Sequence, residues 1–117
     1  MPAGALWSPE TSQRRRDAIM AATPADQVVL TAAERATVER SLANFDLRPD
    51  LPKITAPTLV ISGHADGLNP PESGEELASL IPGAVFTIYE ESGHMLSAEQ
   101  PDRLVADVTA FVLDPSD

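Results

Sequence analysis

The sequence contains no cysteine, which excludes disulfides and thiolate chemistry and fits a reducing compartment. It has no apolar run near the roughly 20 residues needed to span a bilayer. Residues 1–9 lack the positive charge and long apolar stretch of a secretory leader, so a cytoplasmic location is expected. Positive charge is also scarce. Residues 51–117 hold only Lys53 and Arg103 against eleven acids, whereas residues 1–50 hold six Arg against seven. The net charge of −10 therefore divides as −9 and −1. A surface this acidic repels phosphate, so neither nucleic acid nor membrane is an expected partner. No internal repeat or low-complexity tract is found.

What is present is enough for a fold. The length of 117 residues suits one domain, and 43% apolar content supports a core. The most informative stretch runs from Pro57 to His94. Thr58–Ser62 is a short apolar run closed by Gly63, the pattern of a strand buried on both faces. Val85–Glu90 has similar β-branched and aromatic enrichment and is closed by Ser92-Gly93. Between them Asn69-Pro70-Pro71-Glu72 reads as a helix start, with Asn69 as cap and Pro70 at the first helical position. Leu77 and Ile81 then share one helix face, and Pro82-Gly83 ends the helix. Strand, helix and strand at this spacing predict a βαβ unit with parallel neighbouring strands and a right-handed crossover.

Asp66 lies four residues beyond the end of the first predicted strand, and His94 four beyond the second. Parallel neighbours sit roughly 4.8 Å apart with their carboxyl ends on the same side. Asp66 and His94 should therefore emerge together at one sheet edge, where open α/β sheets place their sites. A carboxylate beside an imidazole fixes its tautomer and stabilises its protonated form, as a general base requires.

Ala56-Pro57-Thr58-Leu59-Val60-Ile61-Ser62-Gly63-His64-Ala65-Asp66, followed by Pro70-Pro71, resembles the acid-bearing segment of α/β-hydrolases. Ser92-Gly93-His94, with Glu99-Gln100-Pro101 after it, is similar to the segment carrying their catalytic histidine. The resemblance covers residues 45–113. Phe45-Asp46-Leu47-Arg48-Pro49 is similar to proline-iminopeptidase-like and enol-lactonase-like members. The resemblance implies Asp66 as acid and His94 as base of a Ser-His-Asp system that hydrolyses an ester, lactone or peptide bond through an acyl-enzyme. That family carries its nucleophile in Gly-x-Ser-x-Gly at a strand-to-helix elbow upstream of both. This sequence has no such pentapeptide, and Ser8, Ser12 and Ser41 fall in polar or helical contexts. The expected fold is thus partial. A βαβα unit over residues 49–117, the C-terminal part of an α/β-hydrolase, follows a helical segment over residues 1–48, a cap-like remainder and connector.

Elsewhere the signals are local. Residues 1–10 read as a lead-in, Thr11–Ala22 as a helix flanked by Arg14-Arg15-Arg16, and Thr23-Pro24 as its end. The three arginines read better as a solvated face than as an anion site. Residues 25–30 carry no decisive pattern. Thr31-Ala-Ala-Glu34 is a capping box, opening a helix to about Asn44 with Val38, Leu42 and Phe45 on one stripe. By resemblance these helices belong to a cap over the site; otherwise they pack on the sheet. Ser97-Ala-Glu-Gln100 reads as another capping box. It leads into an amphipathic helix (Leu104, Val105, Val108, Phe111, Val112) that should cover one sheet face and end at Asp114-Pro115.

No cofactor or metal is expected. His64, Asp66 and His94 offer groups suited to zinc, but i and i+2 in a loop is not a recognised zinc spacing. Two readings of function follow. The first is a hydrolase part that carries acid and base without the nucleophile and is inactive alone. Its substrate would be a small-molecule ester, lactone or peptide once completed by a nucleophile-bearing part. The second is a non-catalytic binding or assembly module that keeps the half-sheet. Under either reading the open sheet edges call for self-association or a covering partner chain.

Overall fold

A computed structural model describes residues 6–22 and 29–114. The lead-in before Leu6, the break at Thr23-Pro24, most of the undecided stretch 25–30 and the stop at Pro115 lie outside the described residues. The elements run α1 (Gln13–Ala21), α2 (Ala32–Leu42), a 3₁₀ turn (Leu51–Lys53), β1 (Leu59–Gly63), α3 (Pro71–Leu80), β2 (Val85–Tyr89), α4 (Leu96–Glu99) and α5 (Pro101–Val112). Strands β1 and β2 pair in parallel, from Leu59 opposite Val85 to Gly63 opposite Tyr89. This is the expected βαβ unit, with both strands within one residue of the expected limits.

Helix α3 packs on both strands, and Gly74 is what lets it approach. A Cβ at Gly74 would lie 2.1 Å from the Ser62 hydroxyl oxygen and 2.9 Å from the Phe86 ring, so any side chain there would push the helix off the sheet. The start of α3 differs from expectation. Its cap is Pro70, Pro71 is the first helical residue, and no side chain caps it. The Asn69 backbone amide instead donates to Asp66 at 2.9 Å, which holds Asn69 in the preceding turn.

The flanking helices form on their local signals but gain little burial. Ser12 caps α1 by accepting from the Arg15 amide, and the Thr31–Glu34 capping box opens α2. Neither helix buries a residue, and Phe45, at the end of the α2 stripe, is 66% exposed. The arginines of α1 are not simply solvated. Arg15 donates twice to the Ala98 carbonyl (2.6 and 3.0 Å) and Arg16 to the Ser8 carbonyl (2.9 Å). Helix α5 appears where expected, yet it also buries no residue, and Val105, Val108 and Val112 face solvent. A five-residue, two-stranded sheet presents too few side chains per face to cover that stripe.

The second capping box does not form. Met95 and Gln100 precede α4 and α5 without side-chain caps, and Ser97 lies inside α4 rather than ahead of it. The core is Trp7, Val60, Ile81 and Tyr89. Total accessible surface is 8418 Å², against roughly 6,100 Å² for a compact chain of this mass. The radius of gyration is 16.9 Å, against roughly 13 Å for a compact chain of this length. Among the described residues no helix is long and apolar enough to cross a membrane.

Candidate functional site

Strands β1 and β2 end level, and their loops stay joined beyond the sheet. The His64 amide donates to the Tyr89 carbonyl at 2.9 Å and the Ala65 amide to the Ser92 carbonyl at 3.0 Å. These bonds carry Asp66 and His94 out together. Asp66 turns back through its amide to the Gly63 carbonyl. Its Oδ1 then accepts the amides of Leu68 and Asn69, both at 2.9 Å. Such charge-assisted bonds orient a carboxylate strongly. The free oxygen, Oδ2, lies 3.2 Å from Nδ1 of His94. The Asp66 side chain is 9% exposed and that of His94 34%.

This arrangement has a definite chemical consequence. An ionised carboxylate only accepts hydrogen bonds, so a neutral ring facing it carries its proton on Nδ1. The lone pair then sits on Nε2, the nitrogen able to take a proton from a substrate or nucleophile. The structure thus brings together the two residues that the strand ends predicted.

His64 does not join them. Its Nδ1 is 3.2 Å from Oε2 of Glu90, and both side chains are exposed. Among the described residues no three carboxylate or imidazole groups are grouped to hold a metal ion. Ser92, two residues before His94, is fully buried, and its hydroxyl has no hydrogen-bond partner among the described residues. A sealed hydroxyl cannot serve as a nucleophile toward an external substrate.

A cavity of about 590 Å³ lies elsewhere, between the end of α2 and α3, where Phe45, Arg48, Leu51, Leu77 and Leu80 line it. Neither Asp66 nor His94 borders it. Arg48 spans its rim, bonding Asp46 (2.9 Å) and Glu76 (3.4 Å). The Arg48 side chain, and then its backbone amide, draw the Asp46 carboxyl down to about 2. Exposed pairs of this kind add little stability.

Sequence reasoning missed Glu99 as part of the site's surroundings. Glu99 is 8% exposed and accepts from the amides of Gly93 and Ser8, both at 2.9 Å, and from the Thr11 hydroxyl. Its presence next to Gln100-Pro101 is visible, but nothing local announces partners some 90 residues away in sequence.

A parallel βαβ unit with a carboxylate and an imidazole paired past its strand ends defines an α/β protein with an acid–base pair at the carboxyl edge of its sheet. Residues 2–108 match the profile of the Alpha/beta hydrolase family; the chain belongs to that family and holds a partial α/β-hydrolase fold. Over 105 residues it is 33% identical to polyketide synthase ThaQ of Burkholderia thailandensis, covering 90% of this chain and 5% of that protein. It is 37% identical over 76 residues to a proline iminopeptidase of Heyndrickxia coagulans, covering 65% of this chain and 26% of that protein. The structure of the enol-lactonase from Burkholderia xenovorans LB400 superposes with a TM-score of 0.72 at 30% identity, covering 94% of this chain and 42% of that one. The chain spans about a quarter or less of the length of these curated relatives. Relatives of the proline iminopeptidase and enol-lactonase kinds are those the sequence motifs point to.

Proposed function

We propose that Asp66 and His94 are the acid and base of a Ser-His-Asp hydrolysis of an ester, lactone or peptide bond, and that this chain lacks the nucleophile and is inactive alone. The observation that carries the reading is the Asp66 Oδ2 to His94 Nδ1 contact of 3.2 Å, with the second Asp66 oxygen already held by two amides. Names of relatives that are esterases, lactonases and peptidases support the substrate class. Residues 1–48 act in this reading as cap-like remainder and connector, and residues 49–117 supply the βαβα part of the hydrolase domain.

Long-range ¹⁵N–¹H spectra of the imidazole, at a pH where it is neutral, test the pairing. In the parent the His94 proton should reside on Nδ1. In Asp66→Asn, without an obligate acceptor, that preference should be lost, and His64 should stay unchanged as internal control. A His94 spectrum indifferent to Asp66→Asn overturns the acid–base assignment.

The reading also requires that the open edges of the sheet be covered, by a nucleophile-bearing partner chain or a second copy. The accessible surface, some 8418 Å², and the exposed Val105, Val112 and Phe45 support this, since edges and apolar faces left open invite association. Size-exclusion chromatography with light scattering should show a dimer, a larger species or an expanded monomer. A compact monomer of 12.4 kDa with a sharp cooperative melt would contradict it.

A further inference from the structure

We infer that Glu99 is the positioning residue for His94, acting through the peptide that precedes it; this rests on the acid–base reading of Asp66 and His94. The single turn of α4 follows directly after the His94 loop and folds the chain back on itself. Glu99 Oε1 thereby accepts the Gly93 amide at 2.9 Å. Oε2 accepts the Ser8 amide at 2.9 Å and the Thr11 hydroxyl. Ser8 is buried to 1% and Thr11 to 7% exposure. A buried carboxylate survives only where donors replace its water, and this one receives three. The acceptor-only chemistry of the carboxylate is what the site needs, because every facing group is a donor.

Segment 6–8 completes the grip. A Cβ on Gly93 would lie 2.7 Å from the Trp7 carbonyl carbon and 2.8 Å from the Ser8 nitrogen, so this backbone lies directly on Gly93. Met95 donates its amide to the Leu6 carbonyl at 3.2 Å. The residues on both sides of His94 are thus tied to segment 6–11, Gly93 through Glu99 and Met95 through Leu6. On the opposite side the Ser92 carbonyl receives the Ala65 amide, next to Asp66. Arg15, on two bonds to the Ala98 carbonyl, holds α4 from outside. With the main chain clamped on three sides, the half-exposed His94 ring is aimed at Asp66. Catalytic geometry of this kind is sensitive to shifts of about 1 Å.

The test uses the His94 imidazole tautomer and amide exchange at Gly93, read in the full chain for the parent, Glu99→Ala, Asp66→Asn and the core variant Val60→Ala. Glu99→Ala should lose the Nδ1–H preference of His94 and speed exchange of the Gly93 amide. Val60→Ala, destabilised elsewhere, should change neither. Should Glu99→Ala not fold, the isosteric Glu99→Gln carries the comparison, since its single carbonyl oxygen cannot accept from Gly93 and from Ser8 and Thr11 together as the two carboxylate oxygens do. A His94 signal unchanged in the Glu99 variant but altered in Asp66→Asn overturns this role alone. Equal changes in the Glu99 and Val60→Ala variants overturn it too, by reducing it to general loosening. If Asp66→Asn has no effect, the acid–base reading falls and takes the positioning role with it.

Discussion

p-Nitrophenyl acetate mixed with this chain should hydrolyse no faster than with buffer and an unrelated protein. Members of a nucleophile–base–acid system act as a unit, and removing the nucleophile costs about 10⁶ in rate, about 8 kcal/mol of barrier. The sequence has no Gly-x-Ser-x-Gly, and Ser92, the serine nearest His94 in sequence, is sealed from solvent. A correctly paired His94 can still act as general base, but only on a substrate held against Nε2. The large cavity does not border it, so it offers no such hold. Saturable turnover that disappears in His94→Ala would overturn the prediction. The complementary arm is a chimera in which this chain replaces the matched 42% of the Burkholderia xenovorans enol-lactonase. Provided by its neighbour with strands and nucleophile, the chain should support hydrolysis that His94→Ala abolishes. A folded chimera with no activity would count against the hydrolytic role of this chain.

The portion of the site that sequence alone exposes is the portion set by short-range rules. Strand ends, loop lengths and parallel pairing are enough to bring Asp66 and His94 to one edge, since each residue's place follows from a few neighbours. The Thr31–Glu34 box is legible for the same reason, because both of its bonds close within four residues. Ser97–Gln100 looks equally convincing as a box, yet the turn of α4 starts at Leu96, so Ser97 falls inside it and Gln100 ends it. Asn69 departs from its local pattern in a similar way: Asp66 claims the amides of the turn first, and the helix starts one residue later. The α2 and α5 stripes show a third limit. Periodicity identifies an apolar face, but not whether this chain contains anything to cover it.

Tyr89→Ala should be the most damaging single substitution in the described core. Tyr89 is fully buried at the end of β2. Its ring lies 3.9 Å beneath the Arg103 guanidinium, and its hydroxyl donates to Asp107 Oδ2 at 2.5 Å. These contacts join β2 to α5, whose Val105, Val108 and Val112 are exposed. Replacing a buried aromatic by alanine costs about 3–5 kcal/mol, a large share of the roughly 5–15 kcal/mol that holds an ordinary domain. The cooperative transition should therefore be lost. Tyr89→Phe isolates the hydroxyl, whose bond to a charged group contributes about 1.5 kcal/mol or more. Burial, and then the Asp107 carboxylate, push the Tyr89 phenol up from 10.0 to about 12, while Arg103 opposes them. Because the folded value is raised, the protonated phenol stabilises the fold. That contribution is fully present below the unfolded value and is lost as pH rises through about 12. Urea midpoints for parent and Tyr89→Phe should be followed from about pH 9 to about pH 12. The parent should lead at the lower end, and its lead should shrink towards the upper end. Parallel decline of the two proteins would mean that the hydroxyl does not hold β2 to α5.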